Sequence, residues 1–163
     1  MKYVVELFTN PLIMVPITAW LIAQIVKTLL NAVVNHKFSL ERLFGDGGMP
    51  SGHSATVASF AVMCGWCFGF GSFQFAFAGI FAIVVMHDAV GVRREAGKQA
   101  KSIKQIAGII NGMILGENEE IRTEKLKEFV GHTPLQVILG AMLGIVVASV
   151  AIIILKIPYP IAV

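Results

Sequence analysis

Gly47-Gly48-Met49-Pro50-Ser51-Gly52-His53-Ser54, followed by an apolar run to Phe70, reads as a glycine-rich turn that delivers one histidine to the start of a helix. Glycine tolerates the backbone angles that turn several N–H groups into one concavity, and a helix N-terminus adds roughly half a positive charge. The combination suits a phosphate-like anion with a histidine beside it.

Working outward, 163 residues with 56% hydrophobic and only 14% charged side chains are too apolar for an ordinary soluble domain, where about half and a quarter are usual. The expectation is an all-α, polytopic integral membrane bundle of about four spanning helices and one amphipathic helix on the cytoplasmic side. Residues 1–163 read as a single membrane-embedded domain. The lipid bilayer is the expected surrounding and nucleic acid is not an expected partner. The start Met1-Lys2-Tyr3-Val4-Val5-Glu6 shows no signal-peptide pattern.

Pro11 to about Val34 is long enough to cross a bilayer. Gln24, Lys27, Asn31 and Asn35 recur along it at spacings of three or four, which puts them on one side of the helix. A polar ridge at that depth should face the bundle, although Lys27 near the end could instead snorkel to the headgroups. A polar connection with Lys37, Arg42 and Asp46 leads to the glycine turn. The second span runs from Ser54 to about Phe70, Gly69-Phe70-Gly71-Ser72 forms a tight turn, and the third runs from Phe73 to about Val92.

Continued as a helix, the third span would put His87, Gly91, Arg94, Lys98 and Lys101 on one face. Ile103, Ile106, Ala107, Ile110, Met113 and Ile114 then repeat at helical spacing, the pattern of an amphipathic helix. The charged stretch Glu117 to Glu128 reads as a short helix capped by Asn118 or Thr123. Gly131-His132-Thr133-Pro134 opens the last span, with threonine as N-cap and proline at the first helical position.

This threading gathers Lys27, Lys37, Arg42, Arg93, Arg94, Lys98, Lys101, Lys104, Arg122, Lys125 and Lys127 at one membrane face and leaves Lys2 and Lys156 at the other. The bias predicts a multi-pass cell-membrane protein whose histidine face is cytoplasmic. It also makes His53 and His132 neighbours in depth, each at a helix N-terminus. Positive helix ends keep imidazole neutral, whereas a bound phosphate or a carboxylate raises its pKa, and the sequence leaves that balance open.

Pro50-Ser51-Gly52-His53 resembles the central motif of the type 2 phosphatidic acid phosphatase and vanadium-dependent haloperoxidase superfamily. Gly131-His132-Thr133-Pro134 through Gly140 and Gly144 resembles its last motif. With Met86-His87-Asp88-Ala89-Val90-Gly91-Val92-Arg93-Arg94 and Gly97-Lys98-Gln99-Ala100, the set closely resembles a small divergent bacterial and plant branch, over roughly residues 20 to 147. The resemblance implies a phosphatase or phosphotransferase acting on a phosphomonoester or pyrophosphate, lipid-linked forms included. His132 would be the nucleophile, His53 the general acid, and Ser51 with the Gly52 N–H would bind phosphate oxygens.

Three departures qualify the match. Leu126 stands where the superfamily has an arginine, a charge that Arg93, Arg94 or Lys98 could supply. Lys37 and Arg42 are the nearest counterparts of its first basic motif, but the spacing differs and no proline follows Arg42; Lys27 joins them as a candidate phosphate-binding cation. Gln136 replaces the carboxylate that orients the nucleophile; its amide oxygen can still accept an imidazole N–H but carries no charge. Either Asp88 or Glu128 substitutes, or catalysis is weak or absent and the protein is an anionic-lipid binder, scaffold or transport component.

Cys64-Gly65-Trp66-Cys67 has the spacing of a redox dithiol but lies inside a span, where packing is the simpler role. The pairs Gly65 with Gly69 and Gly140 with Gly144 permit close helix crossings within one chain or in a homodimer. Four histidines on separate elements match no zinc spacing, so neither a metal nor another cofactor is expected.

Overall fold

The computed structural model describes residues 1–35, 48–114 and 131–159, with the backbone alone at 34, 35, 93, 94 and 111–114. Six helices follow one another: α1 (Lys2–Thr9), α2 (Pro11–Asn35), α3 (Gly52–Phe68), α4 (Phe73–Val90), α5 (Val92–Ile114) and α6 (Pro134–Ile154). The three predicted turns into helices are closed by hydroxyl caps. Ser51 accepts from the Ser54 N–H, Ser72 from the Phe75 N–H and Thr133 from the Gln136 N–H, each satisfying a donor that a helix start leaves unpaired.

Pro11–Val33, Phe73–Ile110 and Pro134–Ile154 are long and apolar enough to cross a membrane. The second of these runs through α4 into α5. The 17-residue α3 sits at the lower length limit, yet it is the central helix, packed against α2, α4 and α6. An all-α membrane bundle is therefore what the composition encodes. The apolar exteriors of α4 and α6, such as Phe77, Ile83, Ile138 and Ile153, are exposed on the bundle and face where lipid would lie.

Two clusters fix the register of α2, which runs antiparallel to α3 and α6. Val15, Met63, Cys67 and Ala148 close one end, where the Trp66 indole donates to the Ile157 carbonyl at 2.9 Å. Ala19, Ala23 and Ala55 meet nearer the other end, beside Leu143 and Val147. Between α3 and α6 the backbones themselves touch: a Cβ on Gly140 would collide with the Ser51 carbonyl, and one on Gly144 with the Ala55 carbonyl. Gly65 packs under Phe70 and Gly69 turns the chain at φ +88°, so both glycine pairs are taken up within one chain.

Two features depart from the sequence reading. The third span does not continue smoothly: it breaks at Gly91, whose N–H caps the His87 carbonyl at 2.9 Å, and α5 starts anew. On α5 the inward residues are Gly97, Ala100 and Ala107, while Ile103, Ile106 and Ile109 are exposed. An additional short helix, α1, precedes the first span with no buried residue. At eight residues it offers too few turns for its apolar spacing to stand out. The expected short helix in 117–128 lies outside the described residues.

Candidate active site

The first turns of α3 and α6 are locked to each other. The Ser51 N–H donates to the Gln136 carbonyl at 3.0 Å, and the Ser51 hydroxyl caps Ser54 and bonds the Ser54 hydroxyl at 3.0 Å. Ser51 is fully buried; its N–H is committed to the fold, and its hydroxyl oxygen accepts from both the Ser54 N–H and the Ser54 hydroxyl. Among the described residues nothing engages the N–H groups of Gly52 and His53. These are the pair that a helix N-terminus offers to an anion.

His132 precedes α6 and is held on three counts. Only 3% of it is exposed, its N–H donates to the Ala89 carbonyl at 3.0 Å, and its Nδ1 lies 3.3 Å from Gln136 Oε1. That same Oε1 accepts the Thr133 N–H at 2.9 Å, which fixes the amide with its oxygen toward the turn. Thr133 and Gln136 thus form a reciprocal capping box. Because an amide oxygen can only accept, Nδ1 is the donor in that contact, so that when the ring is neutral its lone pair is on Nε2.

The polar ridge of α2 faces this corner. Lys27 is 3% exposed, and its aliphatic stem lies on Gly48, where a Cβ would come within 3.2 Å. Gly48 also sits at φ +102°, so glycine is required there twice over. Gln24 and Thr28 are buried beside Lys27, and Thr28 returns its hydroxyl to the Gln24 carbonyl at 2.9 Å. Gly52 lies under Trp20, with a Cβ position 3.1 Å from the ring.

The residues singled out in the sequence divide accordingly. Ser51, Gly52, Lys27, His132 and Gln136 come together, and half-buried Asp88 stands one residue before the carbonyl that holds His132. His53 shares that end of the bundle but is exposed. Ser51 and Ala55 make the α6 contact, and His53 lies two residues from each, about 200° around the helix. Lys98 is exposed and paired with Glu95 at 2.6 Å. Lys37, Arg42, Leu126 and Glu128 lie outside the described residues, as do the side chains of Arg93 and Arg94.

Sequence reading missed Trp20 and the Ala89 carbonyl as parts of the corner, and placed Gly48 in the glycine turn without its contact to Lys27. Gln24 was visible as a polar residue on the ridge but carried no assigned role. Among the described residues no group of three or more His, Cys, Asp or Glu is placed to hold a metal ion.

No solved structure matches the chain. The chain is 34% identical over 151 residues to the uncharacterized membrane protein YuiD of Bacillus subtilis (strain 168), across 89% of this chain and 96% of that protein. The family described as the divergent PAP2 family matches residues 8–147, a stretch that holds both locked turns, the α2 ridge and the glycine seam, and the chain belongs to that family.

Proposed function

We propose that this membrane protein is a phosphatase or phosphotransferase that uses His132 as nucleophile on a phosphomonoester or pyrophosphate, lipid-linked substrates included. The observation that supports this reading most is the His132–Gln136–Ser51 linkage, which ties the turn that carries His132 to the first turn of α3, where the Gly52 and His53 N–H groups are unengaged among the described residues. Lys27, Lys37, Arg93, Arg94 and Lys98 are the cations assigned to the phosphate oxygens, beside Ser51 and the Gly52 N–H.

In the proposed reaction Nε2 of His132 forms a bond to phosphorus as the bond to the leaving oxygen breaks, and that oxygen takes a proton from His53. Water then attacks the phosphohistidine, gives its proton to His53 and releases phosphate with neutral His132. Asp88 and Glu128 are the carboxylates assigned to support the cationic ring. The site is assigned to the cytoplasmic face because the sequence concentrates its basic residues in the segments that join the helices at the site's end, with Lys2 and Lys156 apart from them.

Phosphate release from phosphatidic acid and from an isoprenoid pyrophosphate, with purified protein in nanodiscs, is the test. His132→Ala should abolish release and the trapped phosphoenzyme; unchanged release in that variant refutes the assigned nucleophile. His53→Ala should slow a natural ester far more than p-nitrophenyl phosphate, whose leaving group needs no proton.

One observation favours a second reading, a catalytically silent binder of anionic lipid. Gln136 Oε1 is neutral and already shared with the Thr133 N–H, and losing a comparable carboxylate elsewhere costs about ten-thousandfold in rate. Turnover gained by Gln136→Glu supports a weakened enzyme, and tight lipid-phosphate binding without turnover in either form supports the binder.

A further inference from the structure

The corner contains a polar group that the proposed mechanism does not use. Gln24 is 6% exposed, and its Oε1 is buried without a hydrogen-bond partner among the described residues. The amide stands over the α3 N-terminus, its Cδ 3.9 Å and the Trp20 Nε1 3.4 Å from the position a Gly52 Cβ would occupy. Buried polar groups are almost always partnered, and within a bilayer no bulk water makes up the deficit. A leucine could fill the same volume without leaving an acceptor unsatisfied.

The unmet needs of this corner are opposite in sign and adjacent. Gly52 and His53 present N–H donors, and Gln24 presents an acceptor. An occupant that meets both carries oxygens that accept and one O–H that donates. The monoanion of a phosphomonoester and the dianion of inorganic phosphate have this pattern, and the inorganic monoanion adds a second O–H; sulfate and phosphodiesters have no such proton.

We infer that Gln24 Oε1 accepts a hydrogen bond from a protonated phosphate oxygen, so that the α3 N-terminal site selects a monoprotonated phosphate group over sulfate and over diesters. This rests on the proposed function only in that the site takes a phosphate group.

The test measures binding of inorganic phosphate, which keeps at least one O–H at pH 6, and of sulfate, which keeps none, to the full chain in nanodiscs at that pH; a phosphomonoester with a second pKa near 6 is roughly half protonated there. Wild-type protein should prefer phosphate by roughly tenfold or more, the size of effect expected when a buried acceptor is left empty by the wrong anion. Gln24→Leu and, as an unbranched second variant, Gln24→Met should bring the ratio close to one with no drop in thermal unfolding temperature.

A wild-type ratio near one, or a ratio that survives both substitutions, overturns the inference; the latter is also what a water held by Gln24 would give. His132-dependent hydrolysis alongside an unchanged ratio overturns this inference alone, whereas absence of both phosphate binding and hydrolysis overturns the proposed function with it. Replacing phosphate by dioctanoyl phosphatidic acid separates the sources. Tighter binding with the same Gln24 dependence assigns the group to a lipid, and equal binding assigns it to free phosphate.

Discussion

Helix α3 has two seams of opposite character. Toward α6 it meets Gly140 and Gly144 backbone to backbone, and the N–H of its N-cap Ser51 is tied to the Gln136 carbonyl. Toward α2 it begins with alanines, Ala19 and Ala23 on Ala55, but one turn nearer the site it buries Gln24, Lys27 and Thr28. Lipid tails are as apolar as leucine, so helices in a bilayer hold together by close packing and hydrogen bonds rather than by a hydrophobic drive. The glycine seam supplies that packing. The α2 seam is thereby free to carry polar groups that would weaken a bundle depending on them, and this is where the proposed ligand would find partners.

The largest effect should come from breaking the glycine seam. In Gly144→Leu the new Cβ meets the Ala55 carbonyl, which is backbone and cannot move without its helix. Overpacking of this kind should cost about 3 kcal/mol or more, read as loss of monodisperse protein or a large drop in unfolding temperature. Gly79→Leu is the matched control, because a Cβ there meets nothing within 4 Å. Equal tolerance of the two changes would mean that the seam does not carry the stability assigned to it.

A smaller effect separates holding the fold from holding His132, the proposed nucleophile. Gln136 serves both, since its Oε1 accepts from Thr133 at 2.9 Å and faces His132 Nδ1 at 3.3 Å. Gln136→Ala should lose about 1 kcal/mol of stability with the cap and roughly a hundredfold or more in turnover, toward the ten-thousandfold seen when a histidine loses its orienting partner. Thr133→Ala removes only the hydroxyl that accepts the Gln136 N–H at 3.4 Å. It should cost about the same stability with turnover nearly intact. Equal turnover losses in the two variants would reduce Gln136 to a capping residue.

How much of this was legible follows from the range of each interaction. The caps at Ser72 and Thr133, the turn at Gly69 and the apolar spans are set by residues within a few positions of one another, so local sequence carries them. The meeting of Ser51 with Gln136, or of His132 with Ala89, joins residues more than forty positions apart. Sequence indicated only that such ends share a membrane face. Gly91 was the misleading case: a helix drawn through it aligns His87 with Lys98, but with no Cβ to hold the turn the chain restarts as α5 and Lys98 pairs with Glu95 instead. Gln24 announced itself as polar in an apolar span, but its orphaned oxygen is a tertiary fact.

The smallest effect concerns Cys64 and Cys67, which are free, buried and remote from the corner. Cys64 lies eleven residues beyond His53 on the same helix, about 16 Å along its axis, and Cys67 packs with Val15, Met63 and Ala148 at the opposite end. If their role is to fill that end of the bundle, replacing both by alanine removes two sulfurs from a packed core and nothing from the site. The double variant should unfold at a slightly lower temperature, by about 1 kcal/mol of stability, with turnover and phosphate binding unchanged by reductant. A folded double variant that lost turnover would shift the chemistry from the polar seam of α3 to its far end, because no packing argument links thiols at that depth to His132.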